Sequence, residues 1–493
     1  MVLKKLASQT AVYGLSTMVG RFLNFLLVPL YTAKLANVDD YGEVNVIFSY
    51  AGFLAVIFSY GMETGFFNFA RKNHHPEKVF STATISLCFS GLLLFIFSLL
   101  FSQPIMDEAG YPEHPNYAIW FAAILGADAI SSLFFAWLRF DEKPWKFAGI
   151  RLLNIGINIL CNLFFILVCP WLLNHGYTWV NNIFNSENLV QYIFISNLVS
   201  SLIILPFFGN LWKKLRGGFD RDLFKKMMKY SIPLVVVGFA GMINETLDRI
   251  LLKQLLPANQ GDYQAGIYGA FYKLSMIMTL FVQAFRFAAE PFFFKHSEHE
   301  NAKESYAYIL KWFVYVCGFI YVATIALLPW LGPLLIRNTA YFQNADGLAI
   351  VPVLLLANLC LGIYYNLSTW YKLNNKTGTG AIISAIAAGI TLAGNFYGIP
   401  KFGFVASAWT TLAAYASLMF MGYFLGKKHF PVPYPIFKIT LSILFAIALG
   451  YVATEYHSIV PFLSILAIPG FVLLVWMLES SKNARRKNQK HGQ

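Results

Sequence analysis

The feature that most limits this chain is the recurrence of apolar runs of about 20 residues. At about 1.5 Å per helical residue, such a run crosses ~30 Å of hydrocarbon. Polar breaks separate about fourteen of them: 10–32, 43–66, 80–102, 117–138, 148–170, 189–210, 231–256, 266–290, 307–330, 348–370, 379–397, 402–425, 436–454 and 459–478. Inside a bilayer a backbone must satisfy its own polar groups, so segments of this length predict helices. Composition agrees: 57% of the 493 residues are hydrophobic and only 12% are charged, where soluble domains carry about 25%. The predicted fold class is all-α, a polytopic membrane protein with about fourteen transmembrane helices.

An even number of spans leaves both termini on one side, and Lys/Arg placement says which. Of the 37 Lys and Arg residues, 29, among them Arg139, Arg151 and Lys311, fall in or at the edges of the breaks on the side of the termini. The opposite breaks hold only Lys34, Lys253, Arg337 and Lys401. Both termini are therefore expected in the cytoplasm. The net charge of +13 follows from the same anchoring residues rather than from one basic face, so no nucleic-acid partner is expected. The outer breaks, the longest at 103–116, 171–188 and 331–347, are too short for a soluble catalytic domain. The five cysteines, Cys88, Cys161, Cys169, Cys317 and Cys360, lie in or beside apolar runs with no CxxC, which reads as buried thiols. The first run has a basic start but no small-residue cleavage site, so it is expected to stay as a span.

A faint internal repeat is present. Asp40-Tyr41 opens span 2 and Asp262-Tyr263 opens span 8, an offset of 222 residues. The most basic inner break, 211–229, lies between. This predicts an N-terminal six-helix lobe at 1–215 and a C-terminal six-helix lobe at 216–430. Two additional transmembrane helices follow at 431–480, then a basic cytoplasmic tail at 481–493. Six spans per half is an even number, so the halves would run parallel.

Charges within the spans carry the functional argument. A charge at mid-bilayer costs about 2.5–3.5 kcal/mol even on the insertion scale, and such groups mark polar pathways. Arg21 sits mid-run in span 1 with Thr17 and Asn24 on its face and no acid within a turn. Span 2 aligns Asn45, Ser49, Gly52, Ser59 and Glu63. Span 7 carries Glu245, Asp248 and Arg249, with Glu245 and Arg249 spaced to pair at i,i+4. Span 8 carries Lys273, Thr279, Gln283, Arg286 and Glu290, again with an i,i+4 pair from Arg286 to Glu290. Asp128 lies alone in the middle of span 4, and span 5 bears an Asn154, Asn158, Asn162 ladder that reads as interhelical glue. Arg21, Asn24, Arg249, Lys273 and Arg286 are the candidate substrate-binding set. Glu63, Asp128, Glu245, Asp248 and Glu290 are the candidate ion-coupling acids; neutralised structural pairs are the competing reading for Glu245 with Arg249 and for Arg286 with Glu290.

Several motifs are set aside. Asp220-Arg221-Asp222 resembles a glycosyltransferase DxD but sits in a basic linker, and His296, Glu298, His299 and Glu300 have metal-like letters in a short mixed-charge break. The sequons at Asn366 and Asn375 fall in a span and on the cytoplasmic side. No phosphate-binding loop is present, so neither a metal, a cofactor nor bound ATP is expected.

Three stretches carry a family resemblance: Ser8–Lys34, Gly61–Arg71 closing span 2, and Leu247–Lys253 with Ala265–Lys273. The chain resembles bacterial polysaccharide-unit (O-antigen-type) flippases of the multidrug/oligosaccharidyl-lipid/polysaccharide exporter superfamily, over essentially all residues to about 430. The resemblance implies a V-shaped pair of six-helix lobes around a cavity lined by spans 1, 2, 7 and 8. It implies a transporter rather than an enzyme, in the bacterial inner membrane. The cargo would be a polyprenyl-pyrophosphate-linked oligosaccharide for surface polysaccharide (O-antigen, lipopolysaccharide, capsule or exopolysaccharide), moved by alternating access. A proton or sodium gradient, membrane lipid and a polysaccharide polymerase are the implied partners. Physical chemistry fits: a pyrophosphate cannot cross hydrocarbon unaided, and guanidinium forks hold phosphate oxygens. Spans 13 and 14, almost free of interior polar residues, are expected as walls for the lipid tail. The alternatives are a peptidoglycan lipid-precursor flippase, a drug/cation antiporter of the same superfamily, and a polysaccharide polymerase or ligase, for which a large outer loop is missing.

Overall fold

The computed structural model describes residues 2–71, 75–296, 301–374, 376–457 and 464–490. Among the described residues every regular element is helical. Among the described residues twelve helices are long and apolar enough to span a membrane, or thirteen if a bent pair counts as one. We label them α1 (Val12–Lys34), α2 (Val38–Ala70), α3 (Pro76–Leu100), α4 (Asn116–Phe140), α5 (Pro144–Asn174) and α6 (Val190–Ile203 with Leu205–Gly217, bent by 43°). Then come α7 (Arg221–Leu255), α8 (Ala258–Phe287), α9 (Ala302–Ala326), α10 (Ala345–Leu373), α11 (Gly378–Phe402), α12 (Phe404–His429) and α13 (Ile436–Glu455). A shorter apolar helix, α14 (Ala467–Ser480), completes the series. Thirteen expected spans meet these helices, and the fourteenth, 459–478, meets the shorter α14 with residues 459–463 outside the described residues; the all-α polytopic class is borne out.

Local chemistry sets the helix ends. Asn37 and Asp40 close a reciprocal capping box on α2, which satisfies two of its orphan backbone donors. Asp220 caps α7, its Oδ1 accepting from the backbone N–H of Asp222 (3.0 Å) and Leu223 (2.9 Å). The DxD-like triplet is thus a helix start. In α2 the helix breaks at Tyr60 (φ 28°) and Gly61 (φ 67°). Ser231 of α7 fills the break and donates to the Gly61 carbonyl at 3.2 Å.

By internal contact the chain forms two compact units, Met1–Gly266 and Ile267–Gln493. In the first, an aromatic core joins α2, α3, α4 and α6 through Phe66, Phe80, Phe134, Trp137 and Phe208. Lipid tails are as apolar as these side chains, so this core holds by packing rather than by exclusion of water. In the second, α10, α11 and α12 pack around Tyr364, Trp370, Ile383, Tyr415 and Leu418. There α13 and α14 are held to α9 by a buried ionic clasp. Glu479 accepts from Lys311 (2.6 Å), Lys438 (3.1 Å) and the Tyr315 hydroxyl (3.0 Å).

The first unit also contains a close, symmetric crossing of α2 with the start of α8. A Cβ added to Gly42 would lie 1.8 Å from the Asp262 carbonyl oxygen. One added to Gly266 would lie 2.2 Å from that of Val38. Val38 and Gly42 thus mirror Asp262 and Gly266, an offset of 224 residues, two more than the sequence repeat. Only glycine permits backbones to approach so closely.

Candidate functional site

The polar side chains of the spans divide into those spent on structure and those left open. The α2 stripe belongs largely to the first kind. Asn45 donates to the Tyr41 carbonyl (2.6 Å), Ser49 to that of Asn45 (2.7 Å) and Ser59 to that of Val56 (3.2 Å). Polar residues within helices commonly bond back to the preceding turn in this way. The Asn ladder of α5 is interhelical glue, as expected. Asn154 donates to the Ser200 carbonyl of α6 (3.0 Å), and Asn162 accepts from the Tyr31 hydroxyl of α1 (2.9 Å).

Arg21 and Asn24 stand exposed on α1. Arg151 of α5, which the sequence had assigned to an inner break, lies within electrostatic range of Arg21, Arg139, Asp128 and Glu63. Arg139 pairs with Glu63 at 2.5 Å and lies over the Phe67 ring at 5.1 Å, while Arg151 lies over Phe135 at 5.6 Å. Three guanidiniums are therefore linked through Arg151 to the carboxylates Glu63 and Asp128, and Glu142 acts with Arg139 on the Tyr13 hydroxyl at the edge of the same region. Two buried donors there have no hydrogen-bond partner among the described residues: Arg139 Nε and the Tyr13 hydroxyl. Asp128 is exposed on α4; it takes a hydrogen bond from Ser201 and has Arg151 as its charged neighbour. Such a region offers fixed donors to an anion and acids beside them.

On α7 the pairing differs from the i,i+4 expectation. Arg249 Nη1 meets Asp248 Oδ1 at 2.8 Å, and the same nitrogen donates to the backbone carbonyl of Glu245 at 2.8 Å. Asp248 and Arg249 are both buried, while the Glu245 side chain is exposed. Two side chains ~100° apart on a helix pair here because the Arg stem is long enough to wrap around it.

In the second unit Lys273 is half-buried on α8 and Arg286 is exposed, its guanidinium 4.6 Å from the Tyr365 ring. Arg286, Tyr365, Asn366, Thr369 and Lys372 line a small cavity where α10 breaks after Leu367. The Glu290 side chain lies outside the described residues, as do the His296 side chain, Glu298, His299, Glu300 and Asn375.

Sequence reasoning missed a network at the ends of α2, α4, α7 and α8. Lys253 pairs with Asp262 at 2.6 Å and lies 4.4 Å from the Tyr111 ring. Tyr111 donates to the other Asp262 oxygen at 2.6 Å. Burial first, and then the Asp262 carboxylate, hold the Tyr111 hydroxyl well above the usual tyrosine range, so it stays a donor. Tyr117 bonds Glu43 and accepts from Asn188 at 3.2 Å. The signal available in the sequence was Lys253, a lone basic residue in a break otherwise poor in them.

A family profile described as "Polysaccharide biosynthesis protein" matches residues 6–297, more than half of the chain. The chain belongs to this family. Its matched region contains every candidate residue from Arg21 to Glu290. Solved structures with the same fold include one described as "Lipid II flippase MurJ, inward closed conformation". It has a TM-score of 0.68 at 16% identity and covers 96% of this chain and 99% of that one. An inward-facing multidrug resistance MATE family transporter of the MOP superfamily gives 0.62 at 13% identity, over 85% and 94%. A MOP superfamily transporter from Pyrococcus furiosus gives 0.55 at 13% identity, over 86% and 95%. A search among curated protein sequences finds no match. At these identities the structures establish the fold. The family match bears out the expected kinship with polysaccharide-biosynthesis proteins, and the structures, described as a lipid flippase and as MOP superfamily transporters, bear out the expected fold.

Proposed function

We propose that the protein flips a polyprenyl-pyrophosphate-linked oligosaccharide repeat unit from the inner to the outer leaflet of the bacterial inner membrane. The motion is alternating access between N- and C-terminal halves, with both termini cytoplasmic, in the service of surface polysaccharide such as O-antigen. The observation that carries this reading is the gathering of Arg139 and Arg151 near Arg21, with two buried donors there, Arg139 Nε and the Tyr13 hydroxyl, unpartnered among the described residues. A pyrophosphate linkage is the anionic part of such a cargo, and guanidinium is suited to its oxygens. Arg249, Lys273 and Arg286 extend the cationic set, and Asn24 adds an amide.

Of the coupling acids, Glu245 and Asp128 fit best, because their exposed side chains are open to a proton or sodium ion from the membrane gradient. Glu63 and Asp248 are committed to Arg139 and Arg249; Glu290 remains a candidate. A polysaccharide polymerase is the natural acceptor of the flipped unit. A second reading, a peptidoglycan lipid-precursor flippase, draws on the fold shared over 96% of the chain with the MurJ structure.

The test reconstitutes the full chain in proteoliposomes and measures flipping of each lipid-linked cargo, with and without a gradient. Arg21→Ala should abolish flipping while expression and insertion persist, and Arg21→Lys should rescue it in part. Full activity of Arg21→Ala would refute the role, and preference for the cell-wall precursor would favour the second reading.

A further inference from the structure

The first unit carries a second site of a different kind, at the end of α1 away from the basic inner breaks. There a groove of about 580 Å³ runs between α1, α5 and the start of α6. Its wall is apolar, formed by Ile166, Leu167, Val168, Pro170 and Leu189, and its rim carries Lys34, Trp171 and Asn174. The wall is shaped by backbone. Residues Phe164–Val168 form a π-helical turn in which the Cys169 N–H reaches back to the Phe164 carbonyl. Pro170, with no N–H to give, sits directly after it. This widened turn lets Leu167 and Val168 face outward, 36% and 41% exposed.

Lys34 separates this groove from an ordinary lipid-facing furrow. Four Lys or Arg residues lie in the outer breaks, and Lys253 is neutralised by Asp262 at 2.6 Å. Lys34 ends α1 exposed and takes no ion pair or hydrogen bond among the described residues. An ammonium without an acid, at the rim of an apolar groove with an indole and an amide beside it, matches one amphiphile. A single phosphate would sit at Lys34 and an acyl chain along the wall. Trp at the same level suits the headgroup boundary.

We propose that this groove binds one anionic phospholipid of the outer leaflet, headgroup on Lys34 and one chain against Ile166–Pro170. The site is separate from the cargo region and its test needs no cargo, so it stands or falls independently of the flipping reading.

The experiment titrates the detergent-purified full chain with phosphatidylglycerol and with phosphatidylcholine of the same chains, counting bound lipid by native mass spectrometry. One lysine at a membrane surface favours an anionic lipid by about five-fold. The wild type should show that preference, Lys34→Gln should lose it and Lys34→Arg should keep it. Val168→Trp, which fills the groove, should weaken both lipids. Lys401→Gln, an exposed lysine on the same side, should leave the preference intact. A preference retained in Lys34→Gln, an equal loss in Lys401→Gln, or unchanged binding in Val168→Trp would each overturn the site.

Discussion

Glu479 pairs with both Lys311 and Lys438, and no other carboxylate pairs with either lysine among the described residues, so its removal is a sharp test of the second unit. Lys311 and Lys438 place their ammonium groups 2.6 and 3.1 Å from its two oxygens, with side chains 5% and 15% exposed. At an effective dielectric of about 20, these contacts amount to attractions of about 6 and about 5 kcal/mol. Desolvation of three ions and the repulsion between the two lysines oppose them, so the pairs add little net stability. Glu479→Gln changes the balance, because it leaves two buried ammoniums facing each other. Breaking a buried pair on one side costs about 3–5 kcal/mol. For a unit of this size, that is a loss on the order of 10 °C in Tm. The measurement is thermal unfolding of the purified protein in detergent, followed by loss of monodisperse material. A Lys311→Met, Lys438→Met, Glu479→Leu triple variant should recover most of the loss, since it removes the stranded charges along with the pair. An unchanged Tm in Glu479→Gln, or a triple variant no better than the single one, would refute the reasoning.

Three further predictions follow from the geometry. Asp248→Asn should take from the buried Arg249 guanidinium its carboxylate at 2.8 Å and lower stability by about 3–5 kcal/mol; adding Arg249→Met should restore it, with a shared deficit in the double variant ruling the pair out as the cause. Gly42→Leu should prevent the α2–α8 crossing, where even a Cβ meets the Asp262 carbonyl oxygen at 1.8 Å; an unchanged cross-linking yield between cysteines placed at Ala36 and Gln260 would contradict it. Leu215→Cys should be labelled by a membrane-impermeant thiol reagent only in inverted vesicles, and labelling in intact cells would reverse the proposed topology.

The spans were legible because each signal is local: ~20 apolar residues specify a helix in lipid whatever its neighbours are. The bent α6 falls where its run predicted, and α14 covers most of the described part of its run. Partners of the charges were not legible, because a bilayer tolerates a charge when another span answers it, and that answer comes from far along the chain. Glu63 meets Arg139 76 residues away, and Lys311 meets Glu479 168 residues away. Spacing along one helix supplied a plausible pair for Arg249 in Glu245, and the side chain took its neighbour Asp248 instead. Arg139, Arg151 and Lys311 were all counted as inner anchors from their sequence positions. The fold draws each of them to a partner or a ring.

This redistribution bears on how a carrier of anionic cargo stays insertable. If every intramembrane guanidinium had a dedicated carboxylate, the region around Arg21 would be neutral, with nothing to attract a phosphate. If none had one, the insertion penalty would accumulate at about 2.5–3.5 kcal/mol for each. The first unit takes an intermediate course. Arg139 keeps Glu63 and an aromatic ring but leaves Nε unpartnered, and Arg151 stands between Asp128 and the repulsion of Arg21. The arrangement is partly compensated, so an arriving anion displaces weak internal interactions rather than strong ones. Charge-assisted hydrogen bonds to phosphate oxygens then replace them. On this argument Glu63→Gln should raise affinity for inorganic pyrophosphate, measured by calorimetry on the purified chain, because it frees Arg139 without removing a cation. A fall in affinity in that variant would mean that Glu63 orients Arg139 for the anion rather than competing with it.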